Sequence, residues 1–230
     1  MDQTKLGKYS IKYSNSNEYH TLKREIWGQD IYYFELSNPS PYIVDIGSHI
    51  GVSILYFKNM YPNSTVIGFE PNPISFNLLS ENIQINMLEN VQIFNKAISK
   101  EEGTKPFYIN ANDSGWESNA SFLKNGWTGK EKTKEIEIGT TRLDKYITRD
   151  IDILKIDTEG SELSILKSHK SLLSRIHNIA IEYHPIKENG IDNILNILTP
   201  LFDIQIFEDG KQIKKIPENR LLTIKGKKRK

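Results

Sequence analysis

Several short stretches of this chain end in ionisable residues of the kind that bind ligands or move protons. VDIGSHIG, Val44–Gly51, sets Asp45 ahead of a loop built from Gly47, Ser48, His49 and Gly51. GFEPNP, Gly68–Pro73, carries Glu70 followed by Pro71 and Asn72. KIDTEGSE, Lys155–Glu162, and IEYHP, Ile181–Pro185, hold Lys155, Asp157, Glu159, Glu162, Glu182 and His184.

A strand that runs into VDIGSHIG and leaves it as a helix exposes backbone at its carboxyl end, where ligands of open α/β sheets bind. The glycines let a ligand approach the main chain, and the helix N-terminus offers N–H donors. Nicotinamide-binding loops show GxGxxG here and cradle a diphosphate. This chain has DxGxxxG instead, and a leading acid suits an ammonium group better than a diphosphate. Glu70 follows the last loop glycine by about 20 residues, the placement from which a carboxylate accepts hydrogen bonds from both ribose hydroxyls. Asp and Gly also end strands for turn reasons alone. In tandem, the motifs call for a ligand with a ribose, an amino group near the loop and no required phosphate. S-adenosylmethionine meets all three conditions.

Strand periodicity of two puts Lys155 and Asp157 on one face of their strand, and Glu182 and His184 on one face of theirs. Buried parallel strands are normally apolar, so polar pairs there are costly unless partnered, and their position favours a site. Asp157 and His184 are candidate bases, and Lys155 would stabilise an alkoxide or anchor a carboxylate. Glu159 and Glu162 fall in the turn and first helical turn after that strand. The structural alternative is an ion-pair network for Lys155, Asp157 and Glu182, and helix N-terminal charge placement for Glu159 and Glu162. Asp157, Glu159, Glu182 and His184 also suit a divalent cation, which acidifies a bound hydroxyl. No tight ligand spacing such as HExxH is present, and no metal is expected.

The elements needed to position these residues follow from the apolar pattern. Short apolar runs alternate with amphipathic ones from Pro41 onward, the signature of a parallel sheet with crossover helices. Strands are expected at Tyr42–Ile46, Thr65–Glu70, Val91–Ala97, Ile151–Asp157 and Asn178–His184. Helices are expected at Ser53–Met60, Pro73–Met87 and Glu162–Leu173. Phe202–Glu208 and Leu221–Lys225, joined through Asp209-Gly210 and a polar stretch, add a terminal pair whose last strand runs antiparallel, for seven strands in all. Residues 1–40 are expected to pack over one sheet edge, through Leu22, Ile26, Trp27, Ile31, Tyr32 and Phe34, or to cap the ligand. Residues 41–230 form the main α/β domain. Within it, the Asn-, Gly- and Ser-rich insert 110–134, with Trp116, Phe122 and Trp127, reads as a substrate lid between two short strands, Thr104–Ile109 and Glu135–Ile138.

The chain has 230 residues, with 30 Lys+Arg against 29 Asp+Glu, so no global field gathers nucleic acid or anionic lipid. The basic end, Lys225–Lys230, reads as a solvated, frayed terminus. The absence of cysteine excludes disulfides and thiol catalysis. The start lacks the apolar core of a signal peptide and no run approaches a membrane span, so a cytoplasmic protein is expected. His20, His169 and His177 lack any partner pattern and read as surface or packing residues.

The blocks VDIGSHIG, FEPNPISFNLLSENIQIN, NVQIFNKAISKEEG, TTRLDKY, IDILKIDTEGSELSIL and IAIEYHP resemble those of the FkbM-type methyltransferases. The resemblance runs from about Glu25 to Pro185, with KIDTEGSE its most specific part. It implies a Rossmann-like class I methyltransferase fold, with a seven-stranded, mostly parallel sheet and helices on both faces. It also implies O-methylation of a hydroxyl or carboxyl on polyketides, sugars or glycan-like small molecules, using S-adenosylmethionine. By the same resemblance, Asp45, Gly47 and Gly51 line the methionyl moiety, Ser48 and His49 belong to the same cofactor-binding loop, Glu70 holds the ribose, Pro71 and Asn72 flank the adenine, and Ala97 passes its edge. The family usually has Asn where this chain has His49, which either replaces an amide contact to the methionine carboxylate or faces out of the loop. In the family's strand order the fourth strand lies between the first and fifth, which gathers Lys155, Asp157, Glu182, His184 and Asp45 at one carboxyl edge.

Competing readings are a nicotinamide-dependent oxidoreductase, which lacks its third glycine here, and a catalytically silent S-adenosylmethionine-binding module. A nucleic-acid amino-methyltransferase would show [ND]PP[YFW] after the fourth strand, where this chain has DTEG. The expected partner is therefore a small-molecule or glycan acceptor and not nucleic acid.

Overall fold

The computed structural model describes residues 1–111, 119–126, 132–187 and 190–229. An N-terminal hairpin, β1 (Asp2–Leu6) and β2 (Tyr9–Tyr13), leads through α1 (Ser16–Leu22) and a π-helical turn, Lys23–Gly28, to the sheet. Next come β3 (Tyr42–Ile46), α2 (Val52–Met60), β4 (Thr65–Phe69), α3 (Pro73–Ile85) and β5 (Val91–Phe94). A three-stranded side sheet is made by β6 (Ala97–Ile98), β7 (Gly103–Asn110) and β8 (Thr133–Thr141). The chain finishes with β9 (Ile151–Ile156), α4 (Glu162–Ser168), β10 (Ile176–Tyr183), α5 (Ile191–Leu198), β11 (Phe202–Glu208), β12 (Lys211–Ile213) and β13 (Leu222–Lys228).

The main sheet runs β12-β11-β13-β10-β9-β3-β4-β5, with β10, β9, β3, β4 and β5 parallel and β13 antiparallel to both its neighbours. This is the Rossmann-like arrangement that the resemblance implies, with one strand beyond the expected seven. The extra strand arises because Asp209 and Gly210, at φ 47° and 73°, close a tight hairpin onto β12 before the chain returns as β13. β13 continues to Lys228, so most of the basic end is paired strand rather than frayed terminus. Lys225 Nζ donates to the Tyr33 carbonyl at 2.6 Å, and Arg229 pairs with Asp203 at 2.9 Å.

Alternation along the strands divides the core. Val44, Ile46, Leu154 and Ile156 join Leu163, Leu166, Ile194 and Leu198 from α4 and α5 on one face. Ile43, Ile153 and Ala180 join Ile54, Phe57 and Leu79 from α2 and α3 on the other, together with Ile11, Tyr19, Ile26 and Tyr32 from the N-terminal segment. Asp45, Lys155 and Glu182 share the parity of this second face, so the N-terminal segment lies directly over them. The hairpin β1–β2 is docked on α3 by Asn82 and Asn86, whose side-chain oxygens accept the Lys12 and Ser10 N–H groups at 2.7 and 2.8 Å.

Three expected boundaries shift for local reasons. The third strand stops at Phe94, because Asn95 turns the chain and its amide donates to the Glu70 and Pro71 carbonyls at 2.8 and 3.1 Å. Ala97 therefore belongs to the side sheet, paired with Thr140, not to the end of β5. The helix expected over Glu162–Leu173 breaks at His169, and a 3₁₀ turn, Lys170–Arg175, follows it. The buried His169 ring accepts the Leu143 N–H at 3.1 Å, a packing role. α3 starts on Asn72, whose side chain accepts the Ile74 N–H at 3.0 Å with Pro73 at the first helical position, and ends at Ile85, two residues short of expectation.

Candidate active site

The β3–α2 loop is fixed from beneath. Asp45 and Lys155 are cross-strand neighbours in the β3–β9 register, at most 1% exposed, with Nζ 3.1 Å from the carboxylate. The other Asp45 oxygen accepts from Ser53 Oγ at 2.6 Å. Lys155 also donates to the Gly47 carbonyl and sits 3.4 Å from Asp157. Burial works against its charge, but Asp45 and then Asp157 outweigh burial and hold its pKa above the usual lysine value. The ammonium that Asp45 meets is thus that of Lys155.

Gly47, at φ 82°, has no room for a side chain: a Cβ there would lie 1.7 Å from the Asp157 carbonyl oxygen. Ser48 turns inward, its hydroxyl donating to the Asp45 carbonyl at 3.1 Å. Gly51, at φ 92°, lets the loop close on Leu79. Of the expected loop ligands, Gly47 and His49 border the cavity described next, whereas Asp45, Ser48 and Gly51 shape the loop from behind.

Above the carboxyl ends of β3, β4 and β9 lies a partly open cavity with about 650 Å³ of empty space, the solvent at its mouth included. Glu70, Pro71, Ala97, Asp157 and Glu159 line it as expected, and Asn72 does not. The Glu70 carboxylate accepts the His49 N–H at 2.7 Å and the Asn72 N–H at 2.8 Å, so Asn72 contributes through its backbone. Burial pushes Glu70 up to about 7, against the pull of those two donors. Each of its oxygens retains a lone pair for a further donor.

Leu22, from the N-terminal segment expected to cover the sheet edge or cap the ligand, also borders the cavity, as do Phe69, Lys96 and Phe107, which no motif singled out. Phe107 is brought there by the side sheet, where it meets Phe122 of the insert edge-on, ring centres 5.3 Å apart. Phe122 lines the cavity, while Trp116 and Trp127, the other aromatic residues of the expected lid, lie outside the described residues.

Beside the cavity, the ends of β9 and β10 carry a second constellation. Tyr32 reaches in from the N-terminal segment and donates to Glu182 at 3.2 Å and Asp157 at 3.5 Å. Burial, reinforced by Asp157, pushes Glu182 up to about 8. His184 is fully engaged: Nδ1 is 3.0 Å from Glu162 and Nε2 is 3.3 Å from Glu159. Burial opposes its protonation, but the two carboxylates overcome that and hold it well above the usual histidine value. Glu162 Oε1 also accepts from Gly160 N–H at 3.0 Å and from Thr158 N–H and Oγ–H at 3.2 Å each. The residue expected to supply helix-terminal charge is therefore the hub that ties the turn after β9 to β10. One ligand atom each from Asp157, Glu182 and His184 lie within 4.8 Å of one another. As the site stands, Glu162 and Glu159 face the two imidazole nitrogens.

A family profile described as the methyltransferase FkbM domain matches residues 45–208, from the acid that leads the loop to the end of β11. The chain belongs to this family. It is similar to methyltransferase sdnD of Sordaria araneosa, 27% identical over 79% of this chain and 80% of that one. It is also similar to the 31-O-demethyl-FK506 methyltransferase FkbM of Streptomyces tacrolimicus, 28% identical over 77% and 79%. The solved methyltransferase FkbM of Methylobacillus flagellatus superposes with a TM-score of 0.60 at 18% identity. The match covers 86% of this chain and 47% of that one, and shows the shared fold.

As a member of the FkbM family, the protein is an S-adenosylmethionine-dependent methyltransferase. The cavity fits that cofactor on its own terms. Glu70 would offer lone pairs to a diol, and Phe69, Pro71, Ala97 and Ile98 would give an apolar berth for a base. Among the described residues no helix is long and apolar enough to cross a membrane.

Proposed function

We propose that the protein methylates a hydroxyl or carboxyl oxygen of a small-molecule or glycan-like acceptor, with Asp157 as the proton acceptor. When bound, S-adenosylmethionine supplies a methyl group already activated on a sulfonium. The protein then has to orient the acceptor oxygen and remove its proton. Glu70 holds the ribose, and Gly47 lets the cofactor lie against the loop backbone.

The observation that carries this reading is the position of Asp157. Its side chain borders the cavity, Lys155 stands 3.4 Å behind it, and the Tyr32 hydroxyl lies 3.5 Å away. Lys155 steadies the carboxylate from below rather than meeting the acceptor. Burial raises Glu182 to about 8, which disfavours its charged form beside Asp157. His184 was a second candidate base; engaged on both nitrogens, it acts as a positioning residue for Glu159 and the Thr158–Gly160 turn. Residues 1–40 serve as an extension of the methyltransferase domain, 41–230, and the insert 110–134 as a lid. The name of the Streptomyces relative, a 31-O-demethyl-FK506 methyltransferase, supports oxygen as the methyl acceptor.

The test is transfer of an isotopically labelled methyl group from S-adenosylmethionine to a panel of hydroxylated acceptors. Asp157→Asn is expected to cut turnover about a hundredfold while leaving cofactor affinity within a factor of about three. Equal losses in turnover and affinity would reassign Asp157 to cofactor binding.

A further inference from the structure

His49 is the residue of the loop whose side chain the fold leaves unexplained. Its ring borders the cavity and is 13% exposed, yet neither ring nitrogen makes a hydrogen bond. Buried polar atoms without partners are rare and costly, and mark places where a missing partner belongs. Its backbone is committed: the N–H is held by Glu70 at 2.7 Å, and φ is 48°. The ring is thereby aimed away from Glu70 toward α1. There Glu18, only 3% exposed, brings a carboxylate oxygen to 3.5 Å from Nε2.

The other charges facing this ring are few. Asp157 favours its protonation, Lys155 opposes it, and burial holds the free imidazole below its usual value. Glu70 touches it only through the backbone. Among the described residues lining the cavity, Lys96 is the sole lysine or arginine, and it follows β5, two strands away from the loop. The cavity thus offers a carboxylate for an amino group, from Glu159, but no resident cation on the loop side for a carboxylate.

We propose that His49 and Glu18 form a dyad that binds the carboxylate of the cofactor's methionyl end. The ligand carboxylate meets one ring N–H, Glu18 meets the other, and the imidazole takes up a proton as the ligand enters. The N-terminal helix α1, which also contributes Leu22 to the cavity wall, is thereby coupled to the amino-acid end of the cofactor. Glu18 is a positioning residue acting through His49. This inference rests on the cofactor reading given above and adds the group that recognises the cofactor's carboxylate.

Calorimetric titration in two buffers of different ionisation enthalpy tests it, using S-adenosylhomocysteine and 5′-methylthioadenosine near pH 6.5. Both ligands carry the ribose that Glu70 would hold, so any proton exchange at Glu70 cancels between them. Only the first has the amino-acid end, whose amino group stays protonated at that pH. The wild-type protein is expected to take up more protons with S-adenosylhomocysteine than with 5′-methylthioadenosine. His49→Asn keeps a residue that tolerates φ near +50°. It should remove that difference and weaken S-adenosylhomocysteine about tenfold, with 5′-methylthioadenosine unchanged. Glu18→Gln should lower the proton uptake in the same direction. Equal proton uptake for the two ligands, or equal affinity losses in His49→Asn, would overturn the dyad while leaving the cofactor reading intact. Binding of neither ligand to the wild type would overturn both.

Discussion

Lys155 and Asp45 face each other across the β3–β9 register with Nζ 3.1 Å from the carboxylate, both shut off from solvent, directly beneath the β3–α2 loop. An ion pair in the middle of a parallel sheet is costly to desolvate, and removing one partner leaves the other charge uncompensated. Lys155→Met or Asp45→Asn is expected to destabilise the protein by roughly 3–5 kcal/mol in urea unfolding. The double variant should recover part of that loss, because it strands fewer charges. Single variants as stable as wild type would show that the pair does not hold the loop.

Glu70 predicts a pH dependence of cofactor affinity. Ribose hydroxyls donate to its ionised form, and burial has raised its pKa to about 7. Affinity should therefore be fully developed above neutrality and fall as the pH drops below 7, by up to about tenfold per unit. A binding constant flat between pH 5.5 and 8, measured by calorimetry on either side of about 7, would place the ribose elsewhere.

Tyr32 and Glu182 predict a second pH limb, this time in turnover. Glu182 keeps its proton up to about pH 8, so Asp157 faces a neutral neighbour at physiological pH. Turnover should decline above that value as Glu182 ionises, and Glu182→Gln should remove the decline. Tyr32→Phe removes the hydroxyl shared by the two acids and should lower turnover about tenfold with cofactor affinity unchanged. A Tyr32→Phe enzyme with wild-type turnover would reduce the residue to packing.

His184 links pH to stability. Its folded pKa lies well above the ordinary value of 6.5, because Glu159 and Glu162 overcome the effect of burial. The stabilisation is fully present below the unfolded pKa and is lost as pH rises through the folded one. Wild-type stability should therefore fall on the alkaline side, and His184→Gln should flatten that slope while weakening the Thr158–Gly160 turn. An unchanged slope in chemical denaturation of the variant would mean that the imidazole is not the group being titrated.

Much of this was legible in the sequence because strand ends announce themselves. An apolar run closing on Asp45, Glu70 or Asp157 sets those residues at one sheet edge whatever the details of packing. The rest depended on side-chain direction, which periodicity does not specify. Asp45 and Asp157 look alike in sequence and share one face of the sheet, yet only Asp157 borders the cavity, because Asp45 lies inside β3 against Lys155 while Asp157 lies just beyond the end of β9. Glu162 looked like a helix-start acid, and its bonds to Thr158, Gly160 and His184 required the turn's own geometry. Tyr32 was assigned to packing because its partners lie 125 and 150 residues away. β12 was missed because three exposed or half-exposed residues carry no apolar signal, although Asp209-Gly210 marked the turn that creates it.

The most direct measurement is calorimetric titration of the protein with S-adenosylmethionine, S-adenosylhomocysteine and NAD, repeated with Glu70→Ala. Micromolar binding of the two sulfur nucleosides, weakened at least about tenfold in the variant, with no binding of NAD, is the expected result. Undiminished binding in Glu70→Ala, or a preference for NAD, would contradict the assignment of the β3–β4–β9 cavity to the methyl donor.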